Sequence, residues 1–372
     1  MLSKVQIYIL KIKNMVSNMA KKIASISAMI LCVVIFSGLL ALADEQQTQQ
    51  RVTSLGGAEF TLSENLPQNN NTAPTNRAPK GAKSFAVVLG AGTPLPNPYK
   101  MGPSFVVVSN GYPYFIDCGE GAWRGMSKAC IAHGWLTNSF DLNTLKYLFI
   151  THLHCDHTVG IPSWVLNAYK CGSKASKEIY GPKGTEAMMK NIMAAWKIDI
   201  NDMLYGVTKS SKKGVTIATH EIDDDGLIYQ DKNVKVYAYR KYHGNIKDNF
   251  AYRFECEDGR IFAFTGDGFS CPGLLQACKD ADVAFVEVMS KENIADVPWA
   301  NKAQVEYITH NYHMWPEELA LMQKESGLKK LVLIHEQNFA PVEKYSRLGL
   351  LEECKRAGVK EPVFSSVDGD VY

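Results

Sequence analysis

From Ser84 onward the chain alternates short apolar runs with polar, glycine-rich or proline-rich breaks. The runs "SFAVVLG", "SFVVVSN", "YPYFIDCGEG" and "LKYLFI" (Leu145 to Ile150) are rich in β-branched and aromatic residues, and each has the length of a buried strand. A 3.6-residue spacing of apolar positions predicts helices over Ala122 to His133, in "PSWVLNAYKCG" and in "GTEAMMKNIMAAWKI", with the strand "EIYG" between the last two. A second group of strands follows in "VTIATHEI", "VKVYAYRKY", "NFAYRFEC" and "RIFAFTGD". The end alternates again: a helix around Leu274 to Lys279, the strand "VAFVEV", the helix "WPEELALMQKES" and the strand "KKLVLIH". Two groups of strands with helices outside them predict an α/β protein, a four-layer αββα sandwich over residues 84–372 with its sites at loop ends.

The residues before Ser84 read differently. Residues 1–43 carry Lys4, Lys11, Lys13, Lys21 and Lys22 and no acidic residue, and end in the apolar run Ile23 to Ala43. A basic start, an apolar middle and the small-residue ending Ala41-Leu42-Ala43 describe a secretory signal peptide, with an uncleaved membrane anchor as the other reading. The expected location is the periplasm or the outside of the cell, with no stable membrane association after cleavage. Residues 44–83, with "ENLPQNNNTAPTNRAPKG", have little hydrophobic periodicity and predict an extended arm or linker.

Cleavage changes the charge. The 372-residue chain is +2, and losing five lysines leaves 2 − 5 = −3. A weakly acidic protein has no global attraction for nucleic acid. Eight of the nine cysteines lie after residue 43, so an exported chain could form disulfides, in pairings that sequence does not fix.

Candidate chemistry concentrates in "THLHCDHTVG", Thr151 to Gly160, directly after "LKYLFI". Imidazole nitrogen and carboxylate oxygen are zinc donors, and a catalytic zinc keeps one position open. The alternate residues His152 and His154 can reach one metal, while Asp156 and His157 turn toward a second. Two metals need more donors, and three apolar strands each end in one: His243 after "VKVYAYRKY", Asp267 closing "RIFAFTGD" and His335 closing "KKLVLIH". Cys155 sits between these donors and reads as a small packing residue. His220 and His133 lack comparable surroundings.

Together these residues resemble the metallo-β-lactamase-fold hydrolases, through the motif H-x-H-x-D-H at 152–157 and Asp117 in "FIDCG". The resemblance implies that His152, His154 and His243 hold a first metal, and that Asp156, His157 and His335 hold a second. It implies that Asp267 bridges both, that Asp117 orients donors from behind them, and that Asp156 counts among the catalytic residues. The implied cofactor is two zinc ions, with manganese or iron compatible with the same donors. A hydroxide held between the metals would be the nucleophile, since bound metal lowers the pKa of water from about 16 to roughly 7.

"VLGAGTPLPNP" and "HTVGIP" look most like the branch that includes ribonuclease Z and a group of arylsulfatases. "HMWPEELA" places His313 22 residues before His335, where that branch carries a histidine able to protonate a leaving oxygen. His310 is a competitor for the role. Transfer-RNA-processing members carry a long clamping arm between the equivalents of His243 and Asp267. The two are only 24 positions apart here, so no tRNA substrate is expected.

The resulting expectation is an exported dinuclear zinc hydrolase of small phosphate or sulfate esters. The alternatives are a lactonase, a β-lactamase, or a non-catalytic metal-binding protein of the same fold. Relatives are often dimers, which implies a homodimer. Trp299, Tyr307, Tyr312 and Trp315 form either an aromatic wall for an aryl or nucleobase group, or core. Lys170, Lys174, Lys177 and Lys183 either frame the mouth for an anion or lie on a solvated face.

Overall fold

The computed structural model describes residues 53–55, 58–60, 74–97, 99–133, 141–292, 301–337 and 347–372. The candidate signal peptide over 1–43 lies outside the described residues, as does Trp299. Among the described residues no helix is long and apolar enough to cross a membrane. The chain divides into units Met1–Leu66 and Pro67–Tyr372. Of the first, the structure describes an antiparallel hairpin, β1 (Thr53–Leu55) with β2 (Ala58–Phe60).

Two sheets build the second unit. The first contains β3 (Ser84–Gly90), β4 (Ser104–Ser109), β5 (Tyr112–Ile116), β6 (Tyr147–Phe149), β7 (Lys177–Gly181) and β8 (Ile217–Glu221), side by side in that order. The other runs from β9 (Gly226–Gln230) through β10 (Val234–Arg240), β11 (Phe250–Cys256), β12 (Ile261–Phe264), β13 (Val283–Met289) and β14 (Leu331–Gln337) to β15 (Val363–Ser365). Each sheet starts as an antiparallel meander and continues with parallel strands, from β5 in one and β12 in the other. The change follows the connections: antiparallel neighbours are joined by short turns or by the loops 91–103 and 241–249, whereas each parallel pair is joined by a crossover that holds at least one helix.

Alternation along the strands assigns the layers. Val88 and Phe105 of the first sheet join Val236, Phe254, Phe264 and Phe285 of the second in one core between the sheets. Val87 and Leu89 point the other way, toward Met126 and Trp164 on helices Ala122–His133 and Ile161–Lys170. On the far side, Val286 and Leu333 pack with Leu274, Leu319 and Met322 of helices Pro272–Cys278 and Pro316–Ser326. Three apolar layers separate four structural ones, the αββα sandwich that the element pattern predicts.

The structure departs from the sequence expectations at several places. The helix expected over "GTEAMMKNIMAAWKI" ends at Ala195, and a second runs from Lys197 to Tyr205. Helix Lys302–Asn311 and strand β9 had no clear periodic signal. In the segment read as an arm, 74–83 is tied to the end of the chain. Arg77 N donates to Val371 O at 2.7 Å, and its guanidinium reaches Asp370 at 3.1 Å. Tyr372 continues this clasp by exchanging backbone hydrogen bonds with Ala86 of β3. All eight described cysteines are free, and only Cys155 and Cys171 are exposed.

Lys177 corrects the reading of four lysines around a mouth. It is fully buried in β7, with its ammonium 5.0 Å from the Trp164 ring centre and bonded to Leu145 O. Among the other three, Lys170 pairs with Asp199, whereas Lys174 and Lys183 are solvent-exposed. Burial pushes the Lys177 ammonium down to about 8 from 10.5. The folded state thus favours neutral Lys177, so its burial penalty is full below pH 8 and is relieved as pH rises toward 10.5. At 1.36 kcal/mol per pKa unit the penalty near neutrality is about 3 kcal/mol, partly offset by the Trp164 and Leu145 contacts. Denaturant titrations should show the wild type gaining stability relative to Lys177→Met between pH 8 and 10.5. An equal pH profile for the two proteins would show that Lys177 does not titrate in the fold.

Candidate metal centre

The donors lie where strands of both sheets end or bend. β5 ends at Ile116, and Asp117 follows in the left-handed region (φ 52°), rare for a non-glycine residue. From there it joins two segments. One carboxylate oxygen accepts from Thr151 N at 2.7 Å; the other accepts from Thr151 Oγ1 and His157 Nδ1, both at 2.8 Å. Thr151 Oγ1 in turn lies 3.1 Å from His152 Nδ1. Because that hydroxyl donates to Asp117, it accepts from His152, whose Nε2 is left as a lone-pair donor for a cation. Asp117 thus sets the tautomers of two histidines at once.

Backbone packing fixes the turn that carries Asp156. A Cβ at Gly119 would collide with Asp156 O, and one at Gly160 with Gly119 O. The "DCGEG" turn and the short helix Cys155–Thr158 therefore touch main chain to main chain.

The second sheet delivers the other donors. Beyond β10, His243 donates through Nδ1 to Tyr312 O at 2.6 Å, which leaves Nε2 facing His154 Nδ1 at 3.1 Å. Asp267 follows β12, with its carbonyl held by the Lys241 ammonium and by Asn249 Nδ2. His335 does not close its strand as expected, since β14 continues to Gln337. It is the extra residue of a β-bulge: Ile334 pairs with Glu287 and Glu336 with Val288. Its φ is 45°, and its N–H turns to Ala91 O near the other sheet, at 2.9 Å. The bulge re-aims the ring so that Nε2 lies 3.0 Å from Asp156 Oδ2 and 3.5 Å from Asp267 Oδ2.

These contacts assemble two adjoining groups with metal-ligand spacing, His152–His154–His243 and Asp156–His157–Asp267–His335. Within the first, His152 Nε2 and His154 Nδ1 are 3.0 Å apart. Asp267 stands between the groups, 3.3 Å from His157 and 4.0 Å from His243. All seven sequence candidates therefore meet in one place, with Asp117 behind them.

The donor set fits cations. His157 Nε2 and Asp267 Oδ1 are buried and face each other at 3.3 Å without a well-formed hydrogen bond, a costly state for polar atoms unless something else satisfies them. Burial disfavours charge on His152 and His243 and pushes them down, His243 to about 2. Burial opposes a charge on His157 as well, but the Asp267 and Asp117 carboxylates outweigh it and raise that group. Neutral imidazoles and ionised carboxylates are the states that bind zinc-type ions, so His152 and His243 are ready to do so, whereas His157 would release a proton in exchange for the ion.

Sequence reasoning missed the support around His313. His313 is buried after helix Lys302–Asn311, and its Nδ1 lies 3.3 Å from Oε1 of Glu287 in β13. The same oxygen accepts from Gly268 N at 2.9 Å and Met314 N at 3.2 Å. Glu287, His313 and His335 form a third group with metal-ligand spacing. Gln337 touches both His313 and His335, at 3.4 and 3.3 Å. Glu287 raises the His313 pKa against the opposing effect of burial. A glutamate inside the apolar run "VAFVEV" was the available signal.

The remaining candidates lie elsewhere or do other work. His310 stacks on Trp315, His220 pairs with Glu178, and His133 bonds to Gly369 O. Tyr312 lends its carbonyl to His243, while Tyr307 is half exposed and hydrogen-bonds Asn245. Cys155, read as a packing residue, is exposed and lines a cleft next to Asp156.

Helix-flanked paired sheets with histidine and aspartate donors at their ends define the metallo-β-lactamase fold. The family profile described as Beta-lactamase superfamily domain matches residues 114–335, and the chain belongs to that family. It is 28% identical over 255 residues to a ribonuclease Z of Mycobacterium marinum, covering 67% of this chain and 84% of the relative. A ribonuclease Z of Mycolicibacterium paratuberculosis is 26% identical over 254 residues, with the same coverage. Among solved structures, the metallo-β-lactamase fold protein YhfI of Bacillus subtilis superposes with TM-score 0.57 at 17% identity, over 78% of this chain and 98% of that one. The short form of human tRNase Z gives 0.54 at 21%, over 77% and 98%.

If Asp117 sets the donors, Asp117→Ala should weaken metal binding roughly 10- to 100-fold in chelator competition while the far-ultraviolet dichroism stays native. Unchanged affinity would show that the donors are held without it.

Proposed function

We propose that this protein is a dinuclear zinc hydrolase of small phosphate or sulfate esters, exported from the cytoplasm. The observation that carries the reading is the adjacency of two donor groups and a buried, carboxylate-backed histidine. Histidine–carboxylate sets of this kind suit zinc, with manganese or iron as substitutes. When bound, such ions would supply a water of lowered pKa and Lewis acidity toward the ester oxygens.

The protein's own residues then have separable roles. His152, His154 and His243 would hold one ion; Asp156, His157 and His335 the other; and Asp267 both. Asp156 also borders the cleft through which a substrate would approach. His313 would carry a proton to the departing alkoxide or phenoxide, with Glu287 fixing its ring and favouring its charged form. Similarity to ribonuclease Z supports phosphate esters as the preferred class.

A tRNA substrate is not part of the proposal. The 23 residues between His243 and Asp267 hold a short loop, the hairpin of β11 and β12, and the start of the turn after β12. A lactonase would not need an acid at the place of His313, but an opened lactone also ends as an alcohol that must take up a proton, so a lactone is assayed beside the esters.

The test uses metal-analysed protein with phenyl and p-nitrophenyl phosphodiesters, an aryl sulfate, an acyl-lactone and a precursor tRNA. Diester cleavage should fall roughly a hundredfold or more in His313→Ala, and further for phenol than for the better leaving group p-nitrophenol. Turnover of the lactone alone, indifferent to His313→Ala, would remove the ester reading. Trimming of the precursor tRNA would remove the restriction to small substrates.

A further inference from the structure

A cleft of about 840 Å³ opens directly beside the donor groups and shares Asp156 with them. Its walls are unlike the donor chamber. Leu95 on one loop and Val159 after the Cys155–Thr158 helix are 38% and 56% exposed, and Trp123 adds a half-buried indole. Exposed apolar side chains are ordinary singly, but here they converge on one concavity next to a reactive centre.

Arg124 follows Trp123 in the first turn of helix Ala122–His133. It lines the same cleft, is exposed, and makes no ion pair or side-chain hydrogen bond with any described residue. Glu120 lies on the same rim and is likewise exposed and unpaired. The other cation in the lining, Lys100, is buried and bound to Glu336 at 2.6 Å. Arg124 is therefore the cation best placed to meet a ligand here, and its planar fork suits carboxylate or phosphate.

We propose that this cleft is a substrate subsite for the non-reacting part of the ester: a flat apolar or aromatic group against Trp123, Leu95 and Val159, carrying a second anionic group that pairs with Arg124. The proposal rests on the ester-hydrolase reading only for the identity of the reacting centre. Binding energy from a remote group is a common way for an enzyme to select its substrate. Glu120 opposes the remote anion, so its neutralisation should strengthen the preference.

Two substrates separate these contributions: p-nitrophenyl phenyl phosphate, and the same diester with a carboxylate at the 4-position of the phenyl ring. For the wild type, the carboxylated diester should show a KM lower by roughly fivefold, as for one exposed ion pair. Arg124→Ala should bring that ratio to about one, Arg124→Lys should keep part of it, and Glu120→Gln should enlarge it. Lys128→Ala, a charge change on the same helix outside the cleft, should leave the ratio as in wild type. No discrimination by the wild type, or a ratio that survives Arg124→Ala, would overturn the subsite.

If neither these diesters nor the aryl sulfate is hydrolysed, the ester-hydrolase reading fails by itself. Calorimetric titration of the metal-loaded protein with phenylphosphonate and 4-carboxyphenylphosphonate then decides the subsite. Tighter binding of the carboxylated ligand that depends on Arg124 supports it, and equal binding rejects it.

Discussion

The carboxylate of Asp117 is the contact on which the centre most depends. It is buried, left-handed in backbone, and bonded to the amide and hydroxyl of Thr151 and to the ring of His157. Those three bonds tie the end of β5 to the residues after β6, and the Thr151 hydroxyl passes the constraint on to His152. Across the sandwich, the Thr151 carbonyl accepts from Phe250 N, and Tyr252 Oη donates to Ile150 O. One carboxylate thus fixes a turn that both sheets touch. The histidines around it are aimed by hydrogen bonds at their far nitrogens, as metal-bound imidazoles commonly are.

The fold was readable because its signal is additive. Strands β3 to β6 of the first sheet are apolar runs with a break after each, and the six-residue donor cluster follows the last of them. By contrast β8, grouped by sequence with the later strands, is half polar and joins the first sheet. Strand-end donors were readable for the same reason: His243 and Asp267 stand where apolar alternation stops. The sequence could not show how His335 is aimed. A bulge is a relation between two strands, and only the pairing of Ile334 and Glu336 around it reveals that the ring leaves its sheet.

Other features were illegible because composition says nothing about partners. Lys177 looks like any surface lysine until β7 is placed between β6 and β8 with Trp164 above it. Cys155 sits among buried donors yet faces the cleft, because the helix that carries it is a single turn whose two sides differ completely. Residues 75–77 lack apolar periodicity, and they are ordered by Asp370 and Val371, almost three hundred positions away. Glu287 lies inside an apolar strand, where propensity alone would disfavour it. Its purpose emerges only from the amides and imidazole that converge on it.

Glu287 also shows why the metal groups and the proposed acid are not independent parts. Its Oε1 accepts from Gly268, the residue after Asp267, and from Met314, the residue after His313. The strand that carries it pairs with β14 at the point where His335 bulges out. A shift of Asp267 would therefore move the anchor of His313, and a shift of the bulge would move both. Buried contacts of this kind leave little room for partial adjustment, because protein interiors are close-packed and a displaced polar group loses its partner outright. The rim of the cleft beside Asp156 is built differently: Leu95, Glu120, Arg124 and Val159 are exposed and lie outside the hydrogen-bond network of the donors. On the proposed reading, that division would leave the chemistry to the strand ends and substrate choice to the rim.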